Sequence, residues 1–441
     1  MEDGKMNGFK VTLLAAASAL LLAAPAMAFH DGGVARCEGC HTMHNSLDGA
    51  TMPNSTSTPG SNGTLFNVAG YLLQGNGSTS DACLVCHQGD GDTSPSSYHV
   101  STKDTTMDAI TKFPLQAGPG GDFGWINLNT GSKFKRGHNV IAPTHGYQAD
   151  GRFTATSPGG TYPAAAFNCA SCHDPHAKFR YVSDGATFGP EATTGAPIVE
   201  SGSYPLGAMP AANEAIGTYR FLAGAGYSPK SIAGAHTFTD KAPVAIAPSS
   251  YNRQEVSGGV VTQTVVAYGS NMSEWCANCH QSLYENAYVS GEAGHTHPAG
   301  NAEKLDSFVV TNYNNYVASG NPVGGKGFAG YNTLVPFEVG FDINGRLANE
   351  ANAGLGVAGP AAAATSNVSC LSCHRAHASG FNSMLRYDPT TFMTVEDTAG
   401  ATVYSTQADG NAMLTAAYYG RPASSFIAYQ RAACNKCHNK D

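Results

Sequence analysis

The chain has 441 residues, of which 42% are hydrophobic, only 13% are charged and 52 are glycine, and its net charge is −8. Ordinary proteins carry about 25% charged residues and about 7% glycine, so this composition excludes a charge-rich disordered chain while leaving little material for long regular elements. The acidic balance, without a run of Lys or Arg, argues against nucleic acid as a partner.

Val11 to Ala24 is apolar but too short to span a bilayer. Lys5 and Lys10 precede it and Ala26-Met27-Ala28 follows, which is the pattern of a secretory signal peptide. Cleavage is expected after Ala28, so residues 1–28 form the leader and 29–441 a single exported domain with no membrane span. Ser46 to Gly63 reads as loop, and Gly259 to Ala267 is the best strand candidate. A helix is expected from Met272 to Tyr288. Another is expected from Asn301 to Ser319, where Leu305, Phe308, Val309, Tyr313, Tyr316 and Val317 recur at helical spacing and Gly320 can end it. Ala351 to Ala364 reads as loop or linker. Arg421 to His438 is the last expected helix, opened by Pro422.

All twelve cysteines fall in one pattern, C-x-x-C-H. The six copies are Cys37/Cys40/His41, Cys83/Cys86/His87, Cys169/Cys172/His173, Cys276/Cys279/His280, Cys370/Cys373/His374 and Cys434/Cys437/His438. This pattern reads as c-type haem attachment. Two thiols add across the two vinyl groups of a haem, and the next residue sets an imidazole under the iron. A disulfide scaffold would not put His after every second Cys, and zinc sites would leave the six His unexplained. Six haems c are therefore expected, with His41, His87, His173, His280, His374 and His438 as proximal ligands. Sharing the chain among six haems leaves about 70 residues each, fewer than separate domains with their own cores require. The fold class expected is a multihaem cytochrome c, mostly irregular, with short α-helices, very little β and a haem-nucleated core.

Ten histidines lie outside the motifs, enough to supply a second axial ligand to every iron. Motifs one, three and five extend to C-x-x-C-H-x-x-H, adding His44, His176 and His377. A His three residues after the proximal one lies on the same side of that haem, so as a ligand it must serve a different one. This alternation suggests three dihaem units. His99, His138 and His297 complete the set of distal candidates. His295 competes with His297, and His30, His145 and His236 remain in reserve. With His in surplus, Met ligation is disfavoured.

The chain resembles the filament-forming extracellular hexahaem cytochromes of metal-reducing bacteria, the cytochrome nanowire family. The likeness runs through Cys37–Leu47, Pro95–His99, Gly120–Trp125, Ser273–His280, His297–Asn301, Thr365–Phe381, Ala416–Arg421, Tyr429–Ala432 and Cys434–His438. It implies bis-His haems stacked as a continuous wire with little regular secondary structure. His30, His44, His99, His138, His176, His297 and His377 all have counterparts in the family, whereas His145, His236 and His295 do not. It further implies that His44 reaches the fifth haem (Cys370, Cys373, His374) of the neighbouring subunit.

The function expected is an electron-transfer conduit whose subunits polymerise head to tail and deliver electrons to metal oxides, electrodes or partner cells, with redox cytochromes as further partners. A monomeric periplasmic electron carrier is the alternative, and the residues by themselves allow both. An enzyme needs an open iron position, and every motif here has its His with distal His in sufficient number.

Overall fold

The computed structural model describes residues 40–41, 46–47, 50–51, 73, 78–89, 92, 98–103, 114–116, 118–127, 135–232, 234–247, 266–284, 299–311, 336–350 and 365–386. Its first elements are β1 (Ser46–Leu47) and β2 (Ala50–Thr51), a two-residue antiparallel ladder inside a stretch expected to be loop. Helix α1 (Thr79–His87) carries motif two. It starts at Ser78, whose hydroxyl accepts the Asp81 amide at 3.0 Å, and Asp81 adds a negative charge to the first turn. Strand β3 (Gln88–Gly89) leaves it and pairs in parallel with β4 (Ser101–Thr102). Helix α2 (Gly124–Asn127) is a single buried turn around Trp125.

Motif three begins in a 3-10 turn, Cys169–Ser171. A four-stranded sheet follows, ordered β6-β5-β8-β7, from β5 (Arg180–Ser183), β6 (Phe188–Ala192), β7 (Ile198–Glu200) and β8 (Ala215–Gly217). The second four-stranded sheet is ordered β12-β11-β10-β9, from β9 (Val244–Ile246), β10 (Ala267–Ser270), β11 (Phe337–Glu338) and β12 (Asn367–Val368). Helix α3 (Met272–Tyr284) carries motif four, α4 (Arg346–Asn349) is one turn, and α5 (Cys370–Cys373) opens motif five.

The two sheets exceed the very little β expected from the sequence. Their strands are short, so none shows the sustained alternation by which a strand is read. Of the strand expected at 259–267, residues 259–265 lie outside the described residues, and β10 begins with Ala267. Helix α3 starts at Met272 as expected. The helix expected from Asn301 begins instead at 307. The Asn301 amide donates to Glu274 at 2.6 Å and its side chain to Asn271 at 2.6 Å, while Lys304 bridges to Asn367, so this segment is committed to the entrance of α3. The expected loop at 351–364 and the C-terminal helix at 421–438 lie outside the described residues.

The apolar core runs between the motifs. One cluster holds Tyr219, Leu222, Ala245, Tyr268, Met272 and Leu371, with Cys172 and Trp275 packed on it. A second holds Phe179, Ala223 and Phe238 against Trp275 and Cys279. Cys172 and Cys279 are thus held by residues distant in sequence. Helix α1 packs on the Cys169–Ser171 turn, and α3 packs on α5, so the described motifs associate as two with three and four with five. No described helix is long and apolar enough to cross a membrane.

Candidate haem-binding sites

The chain sets motifs two to five down on short helical turns. Such a turn brings two cysteines to one side, with the histidine as the last residue of α1 in motif two and just past the turn in motifs three and five. In α3 the ladder breaks at His280, with φ −123° and ψ 43°. In motifs three and five the His amide still bonds to the first cysteine's carbonyl, His173 to Cys169 at 3.0 Å and His374 to Cys370 at 2.9 Å. The cysteines of motifs two, three and four are thiols rather than disulfides. Burial pushes the Cys279 thiol up to about 12, the opposite of an activated thiolate nucleophile.

One contact recurs at every fully described motif. The Nδ1 of His87 meets the Tyr98 carbonyl at 2.9 Å, His173 the Arg220 carbonyl at 2.8 Å, His280 the Pro158 carbonyl at 2.7 Å and His374 the Ser383 carbonyl at 2.6 Å. His138, a distal candidate, meets the Ala376 carbonyl at 2.7 Å. A carbonyl can only accept, so each Nδ1 carries the proton and each Nε2 keeps a lone pair for a metal. Burial lowers the basicity of the same rings. His138 is pulled down to about 4, by burial first and by His280 second, and burial also lowers His173 and His280. Neutral imidazole is the form that binds iron.

The distal candidates fall opposite proximal ones in three places. Ring centroids lie 6.1 Å apart for His41 and His176, 6.4 Å for His173 and His377, and 6.0 Å for His280 and His138. Two imidazoles on opposite faces of one iron, with metal–nitrogen bonds of about 2 Å, place their centroids about 6 Å apart. The spacing fits a haem iron between each pair. The fit extends to the backbone beside His377, where a Cβ on Gly120 would come within 2.5 Å of its ring. Motif three thus contributes His176 across from motif one, and motif five contributes His377 across from motif three. His176 and His377 each stand opposite the proximal candidate of another motif, as their spacing requires.

His99 is placed differently. Its Nδ1 is 2.7 Å from Asp92 Oδ2, and its ring lies edge-on to Tyr98 at 4.2 Å. One segment therefore holds His87 through Tyr98 and presents His99 beside it. His145 is held at 3.0 Å by the buried Asp81, and His236 lies between Tyr162 and Phe238. Cys37, His44, His297, Cys434, Cys437 and His438 lie outside the described residues, as do His30 and His295. The residues that sequence reasoning missed are those whose carbonyls accept from Nδ1 and so fix the tautomer, Tyr98, Pro158, Arg220, Ala376 and Ser383. They act through the main chain, and no side-chain type marks them.

Repeated C-x-x-C-H turns, neutral imidazoles with protonated Nδ1 and His pairs at iron-bridging distance define a multihaem c-type cytochrome, an electron-transport protein. No family model matches the chain. It is 48% identical over 453 aligned positions to C-type cytochrome OmcS of Geobacter sulfurreducens, an alignment that takes in 99% of this chain and 100% of the relative, and it belongs to that cytochrome family. Its fold is similar to that of the OmcS nanowires of Geobacter sulfurreducens seen by cryo-EM, with a TM-score of 0.76 and 47% identity over 93% of this chain and 100% of that one. The Outer Membrane Cytochrome S filament of the same organism matches equally, with a TM-score of 0.76, 46% identity and the same coverage.

Proposed function

We propose that this chain is the subunit of an extracellular filament that conducts electrons along six covalently bound haems c. Cys37, Cys40, Cys83, Cys86, Cys169, Cys172, Cys276, Cys279, Cys370, Cys373, Cys434 and Cys437 attach them. His41, His87, His173, His280, His374 and His438 are the proximal ligands, and His44, His99, His138, His176, His297 and His377 the distal ones. Bis-His haem supplies one-electron exchange at a lower potential than His/Met ligation. The chain's own residues hold each imidazole in one tautomer, exclude water from around it and set each site against the next. The haems in turn supply the apolar core that the short helices and strands do not.

The observation that carries this reading is the exchange of second histidines between motifs, with His176 opposite His41 at 6.1 Å and His377 opposite His173 at 6.4 Å. A haem ligated from two motifs locks distant segments together, so the haems form a connected row. The same exchange continued across a subunit boundary gives a heterologous, non-closing contact, which builds a filament. His44 is the ligand for that boundary, reaching the fifth haem of the neighbouring subunit. Residues 1–28 direct export and are removed, and 29–441 form one domain around the row. Metal oxides, electrodes and partner cells are the terminal acceptors, fed through redox partner cytochromes.

The test is His44→Ala. Native protein carrying this change is expected to keep all six haems, measured by its haem absorbance per chain, while negative-stain images show single subunits in place of filaments. Filaments of ordinary length in the variant overturn the boundary ligand. Wild-type protein that remains monomeric overturns the filament itself and leaves the periplasmic carrier.

A further inference from the structure

The two pairs of packed motifs share one contact that the haem ligands do not explain. Ser80, in the first turn of α1, lies three residues before Cys83, and its hydroxyl accepts the Cys169 amide at 3.0 Å. Ser273, in the first turn of α3, lies three residues before Cys276, and its hydroxyl accepts the Cys370 amide at 3.1 Å. Both serines are fully buried, and the bonds join residues 89 and 97 positions apart.

The donors explain why a hydroxyl is needed. A helical turn leaves its first amides without internal partners. At motif three the Asn168 side chain takes the Ala170 amide, and Ser171 takes the Asn168 amide at 3.0 Å. At motif five Ser372 takes the Ser369 amide at 3.0 Å. These caps do not reach the amide of the first cysteine, and in both motifs it turns to the serine of the preceding even-numbered motif. Alanine there would leave a buried N–H without an acceptor.

We propose that Ser80 and Ser273 are positioning residues that fix the separation of the haems of motifs two and three and of motifs four and five. The inference rests on the haem reading above. Each serine ties the backbone at one haem's first thioether to the helix that carries the next haem's two thioethers. A shift of that amide displaces one macrocycle relative to the other. Arg431 holds the corresponding place before Cys434, and a guanidinium cannot accept a hydrogen bond, so the device belongs to the two pairs within the chain.

The experiment uses haem-loaded full-length protein carrying Ser273→Ala, Ser273→Thr or Ser80→Ala. Haem per chain, read from absorbance, is the control on the underlying reading, because haem below six in the wild type would fail that reading and not this one. The readouts are the exciton couplet in the Soret circular dichroism, which depends on haem–haem geometry, and electron transfer along the loaded protein. Ser273→Ala and Ser80→Ala are each expected to keep every haem, to alter the couplet and to slow electron transfer several-fold, and Ser273→Thr, which keeps the hydroxyl, to restore both. Alanine variants with an unchanged couplet and unchanged transfer overturn the proposal. So does loss of haem in the alanine variants that threonine does not repair.

Discussion

Motifs three and five reach the same result by routes of different length. After motif three the chain runs through the sheet β5–β8 and returns to His173 with the Arg220 carbonyl, 47 residues on. After motif five it returns to His374 with the Ser383 carbonyl only 9 residues on. The returning segments superimpose in their bonding. Asp174 donates to Phe221 and Arg375 to Met384, both at 2.7 Å. Ala223 donates to Cys172 at 2.9 Å and Arg386 to Cys373 at 2.8 Å. Arg220 and Phe221 have φ of 52° and 53°, and Ser383 and Met384 have 56° and 57°. Two consecutive non-glycine residues in the left-handed region cost roughly 1–2 kcal/mol each. That cost recurs at both sites, where it aims a carbonyl at the proximal imidazole. The clamp is therefore a property of the main chain, indifferent to its side chains, and the sheet after motif three is an excursion that leaves it intact.

The comparison can be broken most severely at the ligands. His377→Ala is expected to turn the haem of motif three, not that of motif five, high-spin while haem content stays whole. EPR on native protein, with the affected haem assigned by a matching loss in a His173 variant, checks this. A low-spin spectrum identical to wild type would contradict the pairing.

A smaller effect separates the surroundings of the two motifs. Glu338 ties α3 to β12 by accepting the Met272 amide and the Asn367 side chain, each at 2.6 Å. Burial pushes its carboxyl from 4.5 up to about 7. The fold holds a proton that the unfolded chain releases, so stability is full below about pH 4.5, falls as pH rises through about 7 and then levels. The total is at most about 3 kcal/mol. Glu338→Gln should flatten that slope in denaturation midpoints taken across the range, and an unaltered slope would remove Glu338 as its source.

The clamp itself sharpens the comparison further. Ser383→Gly is expected to raise stability by up to about 1 kcal/mol and Ser383→Val to lower it by about 1–2 kcal/mol, since a β-branched residue resists positive φ. Arg220→Gly should gain less, because it also removes the bond from Arg220 to the Tyr204 hydroxyl at 2.8 Å. Thermal melts of the three variants rank them. The smallest effect belongs to the excursion. The Thr187 and Ala186 amides hold the exposed Asp184 carboxyl below its usual range in the β5–β6 turn. Asp184→Asn should leave haem spectra untouched and remove only a slight loss of stability as pH falls through the carboxylate range.

What the sequence made legible follows from which groups do the work. Covalent attachment needs cysteine and histidine at fixed spacing, so every motif could be read directly. The same spacing showed that His176 and His377 must serve other haems, and they stand opposite His41 and His173. The start of α3 at Met272 matches the helix expected there to carry motif four. The partners of individual histidines were not, because long-range placement decides them. Tyr-Arg-Phe-Leu-Ala at 219–223 and Asn-Ser-Met-Leu-Arg at 382–386 form one clamp with almost no residue in common, which is why no repeat shows beyond the motif. Asn301 and Lys304 read as helix formers by neighbourhood, yet their polar groups are consumed at the entrance of α3.

The account stands on ligands exchanged between motifs. Cryo-EM of the native haem-loaded filament tests it most directly. The expected map shows His176 on the iron of motif one, His377 on that of motif three and His138 on that of motif four, with each proximal Nδ1 against a carbonyl. A map in which His377 turns away from the motif-three iron, or in which that iron takes both ligands from its own motif and a residue other than His377, would contradict it.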